Sequence, residues 1–142
     1  MIALDAYALV AFLADEPARP EVEALLQETC VMATMNLAES LDVLGRVYGV
    51  GEDELRDLVG PLTGEAFAVE VPSEPDAWSA ASLRRRYYER TTRELSLADC
   101  FLLATASRLG ASIATADPAV ASAARGEGLE LIALPDRTGQ RP

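Results

Sequence analysis

The stretch 95–118 constrains the fold more than any other part of the chain. Leu95-Ser96-Leu97-Ala98-Asp99-Cys100-Phe101-Leu102-Leu103-Ala104 reads as a helix with an acid in its first turn. Ser96 and Asp99 have the spacing of a capping box, with Asp where Glu is usual. That helix is predicted to run through Leu109, with Gly110 as its stop. Ser112-Ile113-Ala114-Thr115 reads as a strand, and Asp117-Pro118 as a helix start, with Asp as N-cap and Pro as first residue. An acid at a helix start and an acid just past a strand end meet only in a folded cleft.

Two more acids occupy matching places near the N-terminus. Ile2, Ala3 and Leu4 form a short apolar strand ending at Asp5, and a helix is predicted over residues 6–14. Asp5 therefore lies at the carboxyl end of a strand, where ligands bind in open α/β sheets. It is equally suited to cap the helix. Pro17 and Pro20 bracket a turn, a second helix is predicted over 21–28, and Asp15, Glu16, Glu21, Glu23 and Glu28 are expected to be solvated charge. Cys30-Val31-Met32 reads as the second strand. Thr34 is expected to cap a helix over 35–48 whose apolar stripe is Leu37, Leu41, Leu44 and Tyr48. Glu39 falls opposite that stripe at about 100° per residue, so it faces water or a cleft.

A short helix is predicted over 52–62, broken by Gly60-Pro61, followed by a strand over 67–71. Ser73-Glu74-Pro75-Asp76 starts a helix predicted over 77–89, with Trp78 expected in the core. Arg84, Arg85, Arg86, Arg90 and Arg93 cluster at its end and in the following loop. Successive residues project about 100° apart, so Arg84, Arg85 and Arg86 cannot share one face. They either balance the helix C-terminus or form a phosphate-contact edge, with Tyr87 and Tyr88 available for base stacking. A helix to about Arg125 and a strand over 129–132 follow; the polar tail 135–142 is expected to fray. Short strands alternating with helices imply a largely parallel sheet covered on both faces, an α/β fold. One domain over residues 1–134 is expected.

Composition limits the chemistry. There is no histidine and every cation is arginine, which removes Ser-His-Asp catalysis, histidine zinc sites and the phosphate-loop lysine. Carboxylates are the chief groups left. Packed together they repel, and hard oxygen ligands suit Mg²⁺ or Mn²⁺. The net charge of −11 argues against a protein that merely coats nucleic acid. No apolar run is long enough to span a membrane, and the first residues carry no basic region. A cytoplasmic location with Cys30 and Cys100 as reduced core thiols is the expectation.

Four segments together resemble a PIN domain, specifically a VapC-type toxin of a toxin–antitoxin pair. They are Leu4-Asp5-Ala6 with Ala8-Leu9-Val10-Ala11, then Asn36-Leu37-Ala38-Glu39, Leu95-Ser96-Leu97-Ala98-Asp99 and Ala114-Thr115-Ala116-Asp117. The resemblance covers essentially the whole chain. It implies a three-layer α/β/α fold with a parallel sheet of about five strands and one acidic pocket. It implies a Mg²⁺- or Mn²⁺-dependent ribonuclease, a hydrolase cutting RNA phosphodiesters. Asp5, Glu39, Asp99 and Asp117 carry over as its acidic, metal-binding residues, and Thr115 as a supporting hydroxyl. It also implies a cognate antitoxin, an RNA substrate and a homodimer, with no membrane. Tyr7 stands where many relatives have serine or threonine. The alternatives are a PIN nuclease in RNA processing without an antitoxin, and a non-catalytic interaction module of the same fold.

Overall fold

The structure is a computed structural model describing residues 1–88 and 94–142. Among the described residues five strands make one parallel sheet in the order β3-β2-β1-β4-β5. They are β1 (Ile2–Leu4), β2 (Cys30–Ala33), β3 (Ala68–Glu70), β4 (Ser112–Thr115) and β5 (Leu131–Ala133). Among the described residues seven α-helices connect them: α1 (Ala6–Leu13), α2 (Arg19–Leu25), α3 (Thr34–Arg46), α4 (Glu52–Val59), α5 (Glu74–Tyr87), α6 (Leu97–Leu109) and α7 (Pro118–Gly126). Among the described residues no helix is long and apolar enough to cross a membrane.

The central strands are apolar on both sides because helices cover both faces, as parallel sheets require. Ile2 and Leu4 of β1, with Cys30 and Met32 of β2, enter one core with α1 and α2. Ala3, Val31 and Ile113 point the other way, into a core with α5, α6 and α7. Strand alternation thus divides three-residue and four-residue strands between two hydrophobic layers. The expected three-layer α/β/α architecture is the one observed.

The strand order reverses between β1 and β4, which pair in register from Ile2–Ser112 to Leu4–Ala114. Such a switch point leaves a crevice beyond the carboxyl ends of the two strands. Asp5 follows β1 directly and Asp117 follows β4 by two residues.

Several expectations change. Trp78 is not core but 73% exposed. The buried positions of α5 are Asp76, Ala80 and Leu83. Trp78 sits about 200° around the helix from Ala80, so it faces away from them. On α3 the buried positions are Asn36, Ser40 and Leu44, while Tyr48 is exposed. Ser40 Oγ lies 2.7 Å from Asn36 O and 3.2 Å from Ala6 O, so α3 meets α1 through a polar contact. Thr34 is not the cap: Ala33 takes that place, and the Thr34 hydroxyl donates to Glu70 O in β3.

The tail expected to fray is held in place. Tyr7 donates to Pro135 O, and Arg141 pairs with Glu21 at 2.6 Å and donates to Ala133 O. Asp136 Oδ1 closes a turn by accepting from Thr138 N and Gln140 N. Glu16 and Glu21 are therefore bonded rather than simply solvated, since Glu16 also accepts from Tyr48 and pairs with Arg137.

Candidate active site

Asp5, Glu39, Asp99 and Asp117 all line one cleft of about 500 Å³. Each arrives from a different element, and local folding rules fix three of them. Asp99 is the N3 residue of a capping box: Ser96 N donates to Asp99 Oδ2 at 2.7 Å, and Asp99 N donates to Ser96 Oγ at 3.0 Å. Asp117 caps α7 through Oδ1, which accepts from Ala119 N at 2.6 Å and Val120 N at 3.2 Å. Asp5 Oδ1 accepts from Ala6 N at 2.6 Å. Capping and clustering are therefore not rival accounts. The caps use one oxygen of Asp99 and one of Asp117.

Thr115 links the two strand ends. Its hydroxyl donates to Asp5 Oδ2 at 2.5 Å and accepts from Asp117 N at 2.9 Å. It is fully buried. One side chain thus orients the carboxylate after β1 and the backbone after β4.

The electrostatics are those of crowded, desolvated acids. Asp5 is 5% exposed. Burial and the nearby Asp99 and Asp117 charges push its carboxyl up to about 7, against the lowering effect of bonds from Thr115 and Ala6 N. Burial also raises Asp99, opposed by its bonds with Ser96 and by the Arg84 charge. Glu39 is raised by burial first, then by Asp99 and Asp117. Its Oε2 is buried without a hydrogen-bond partner among the described residues, as are both amide atoms of Asn36 on the same helix. An orphaned carboxylate oxygen among raised carboxyls is a site short of positive charge.

The donor set suits a hard divalent cation: carboxylate oxygens, with five acids (Asp5, Glu39, Glu94, Asp99 and Asp117) lining one pocket. Among the described residues no three acidic or thiol side chains stand close enough to make a ready-formed metal shell. The fit is one of donor type, charge and shared cleft.

The arginine cluster is divided. Arg84 lines the cleft. Arg86 turns elsewhere and pairs with Glu127 at 2.8 Å. Arg85 lies in a neighbouring hollow with Trp78 and Tyr88. Arg90 and Arg93 fall outside the described residues. Two charged lining residues escaped the sequence reading, Glu94 and Arg137. Glu94 immediately precedes the segment that held the signal. Arg137 lies in a polar tail that gave none; the Asp136 turn carries it to the cleft mouth, where it pairs with Glu16. Tyr7 also lines the cleft, but its hydroxyl is committed to Pro135 O at 3.2 Å.

Solved structures share this fold. FitAcB from Neisseria gonorrhoeae is 25% identical, with a TM-score of 0.64 over 93% of this chain and 96% of that one. VapC20 from Mycobacterium tuberculosis, described as a sarcin-ricin loop cleaving toxin, is 18% identical, with a TM-score of 0.70 over 87% and 95%. VapBC2 from Rickettsia felis, solved on a fragment of its promoter DNA, is 17% identical, with a TM-score of 0.63 over 93% and 98%. No curated protein matches the chain. The PIN domain model matches residues 2–126, and on that match the chain belongs to the PIN domain family.

Proposed function

We propose that this protein is a metal-dependent endoribonuclease toxin, neutralised by a cognate antitoxin. The carrying observation is the convergence of Asp5, Glu39, Asp99 and Asp117 in one cleft at the switch point, with Asp5 raised to about 7. A family of this chemistry needs a cation-hungry carboxylate cluster, and this chain spends buried, mutually repelling acids to make one. The Klebsiella pneumoniae structure that shares this fold is described as a toxin–antitoxin complex, which supports an antitoxin partner here. VapC20, named for cleaving the sarcin-ricin loop, supports RNA as the substrate.

Asp5, Asp99, Asp117 and Glu39 would hold Mg²⁺ or Mn²⁺. The bound ion supplies charge neutralisation for the phosphodiester and a lowered pKa for the attacking water. Thr115 keeps Asp5 Oδ2 fixed, and the two caps keep Asp99 and Asp117 from swinging away. Glu39, with a free buried oxygen, orients the attacking water or adds a ligand. Arg84 at the rim meets the phosphate that the acids would otherwise repel.

The test is sequencing of RNA ends after brief expression of the wild type and of Asp99→Asn. New, discrete 5′ ends from the wild type alone support the reading. Identical end profiles from both proteins overturn it.

A further inference from the structure

The fold has no use for Trp78 in its core, yet leaves it beside two arginines. Trp78, Ala81, Arg84, Arg85, Tyr88 and Leu97 line a shallow hollow of about 480 Å³. Trp78 is 73% exposed and Leu97 53% exposed. The indole Nε1 donates to Glu74 at 3.4 Å, so the polar edge is satisfied and the apolar face remains for a partner. The Arg84 guanidinium lies 4.6 Å from the Tyr88 ring centroid. Arg84 also lines the acidic cleft, so hollow and cleft adjoin at that side chain.

We propose that this hollow is a stacking platform for single-stranded RNA. A base flanking the scissile phosphate stacks on Trp78, while Arg84 and Arg85 hold the adjoining phosphates. The inference rests on the ribonuclease reading above. Charge decides between RNA and a protein partner. The chain carries −11 overall, and its cleft is walled by carboxylates. A phosphate strand therefore needs cations at the rim, and Arg84 and Arg85 are there. Aromatic faces beside arginines bind single strands without regard to sequence, because every base has a π-face. The expected pairing of Tyr87 with base stacking gives way to Trp78: the Tyr87 hydroxyl donates to Glu127 on the side where Arg86 is paired.

Trp78 is the chain's single tryptophan, so its own fluorescence reports on the platform. The probe is a short oligouridylate, labelled for anisotropy and titrated into the full chain in EDTA to prevent cleavage. Binding should quench Trp78 emission. Trp78→Ala should weaken binding by about five- to a hundredfold, the range for losing one stacked base. Trp78→Phe should recover most of that loss. Arg85→Gln should lower the salt slope by about 0.7. A ribose-phosphate strand without bases should bind wild type and Trp78→Ala equally. RNA that binds without quenching, or binds Trp78→Ala as tightly as wild type, overturns the platform. Dissociation of a dimer by Trp78→Ala with RNA affinity unchanged also overturns it, by assigning the face to a protein contact. RNA cleavage in Mg²⁺, compared between wild type and Asp99→Asn, separates the two claims. Cleavage by the wild type alone, without a Trp78 effect, removes the platform and leaves the ribonuclease standing. Neither binding nor cleavage removes both.

Discussion

Asp5→Asn should stabilise the metal-free protein, and by an amount that depends on pH. The fold raises the Asp5 carboxyl from 3.8 to about 7, mainly by burial. At about 1.4 kcal/mol per tenfold, that rise corresponds to roughly 4 kcal/mol. The folded carboxyl keeps its proton longer than the unfolded one, so the sign is a penalty that grows with pH. It is absent below the unfolded value of 3.8, accumulates as pH rises toward about 7, and is complete above that. Asn keeps the acceptor for Ala6 N and removes the charge. Urea unfolding in EDTA, run on both proteins, measures the difference. The advantage of Asp5→Asn should widen by roughly 3 kcal/mol between pH 5 and pH 8. Adding Mg²⁺ should then stabilise the wild type more than the variant, since only ligand bound to the folded state adds stability. An advantage independent of pH would refute the claim that Asp5 is held as a desolvated, charge-crowded carboxyl.

Three further outcomes follow from the geometry. Asp117→Asn should keep the cap of α7, because Asn and Asp cap about equally, yet lose RNA cleavage and shrink the melting-temperature gain on adding Mg²⁺; retained cleavage with an equal gain would leave Asp117 a cap only. Ser96→Ala should cost about 1 kcal/mol in thermal melts by opening the capping box. It should also raise Asp99 further, so the acid limb of the pH–rate profile moves to higher pH, because the Ser96 bonds hold Asp99 down. Gly126→Ala should destabilise despite the better helix propensity of alanine, because a Cβ there would stand 2.5 Å from Tyr87 Oη. Overpacking of that kind costs about 1–3 kcal/mol, read as a lower urea midpoint.

The acid cluster was legible because capping and strand-end rules are local. Ser96 with Asp99, and Asp117 with Pro118, mark helix starts by spacing alone, and the structure draws both caps as expected. Their meeting with Asp5 needed the strand order, which places β4 beside β1 rather than at an edge. Glu39 stood out only as a polar residue off the apolar stripe. Its half-buried setting depends on how α3 packs, and the buried Asn36 and Ser40 shifted that packing toward polar contacts no hydrophobic count reveals. Trp78 misled because a large apolar side chain usually packs inside, whereas α5 buries Asp76, which Arg108 pairs at 2.9 Å. The tail misled in the opposite sense. Its polar composition reads as fraying, but Arg141 with Glu21 and the Asp136 turn are long-range and local ties that composition does not carry.

The central claim is that four carboxylates make a cation-dependent ribonuclease centre. Its most direct test is cleavage of an end-labelled single-stranded RNA by purified protein, with Mg²⁺, Mn²⁺ or EDTA, beside Asp99→Asn and Glu39→Gln of confirmed fold. Discrete cuts by the wild type with either cation, abolished in EDTA and in both variants, are the predicted result. Cuts that persist in EDTA, or that both variants make as well as the wild type, would contradict it.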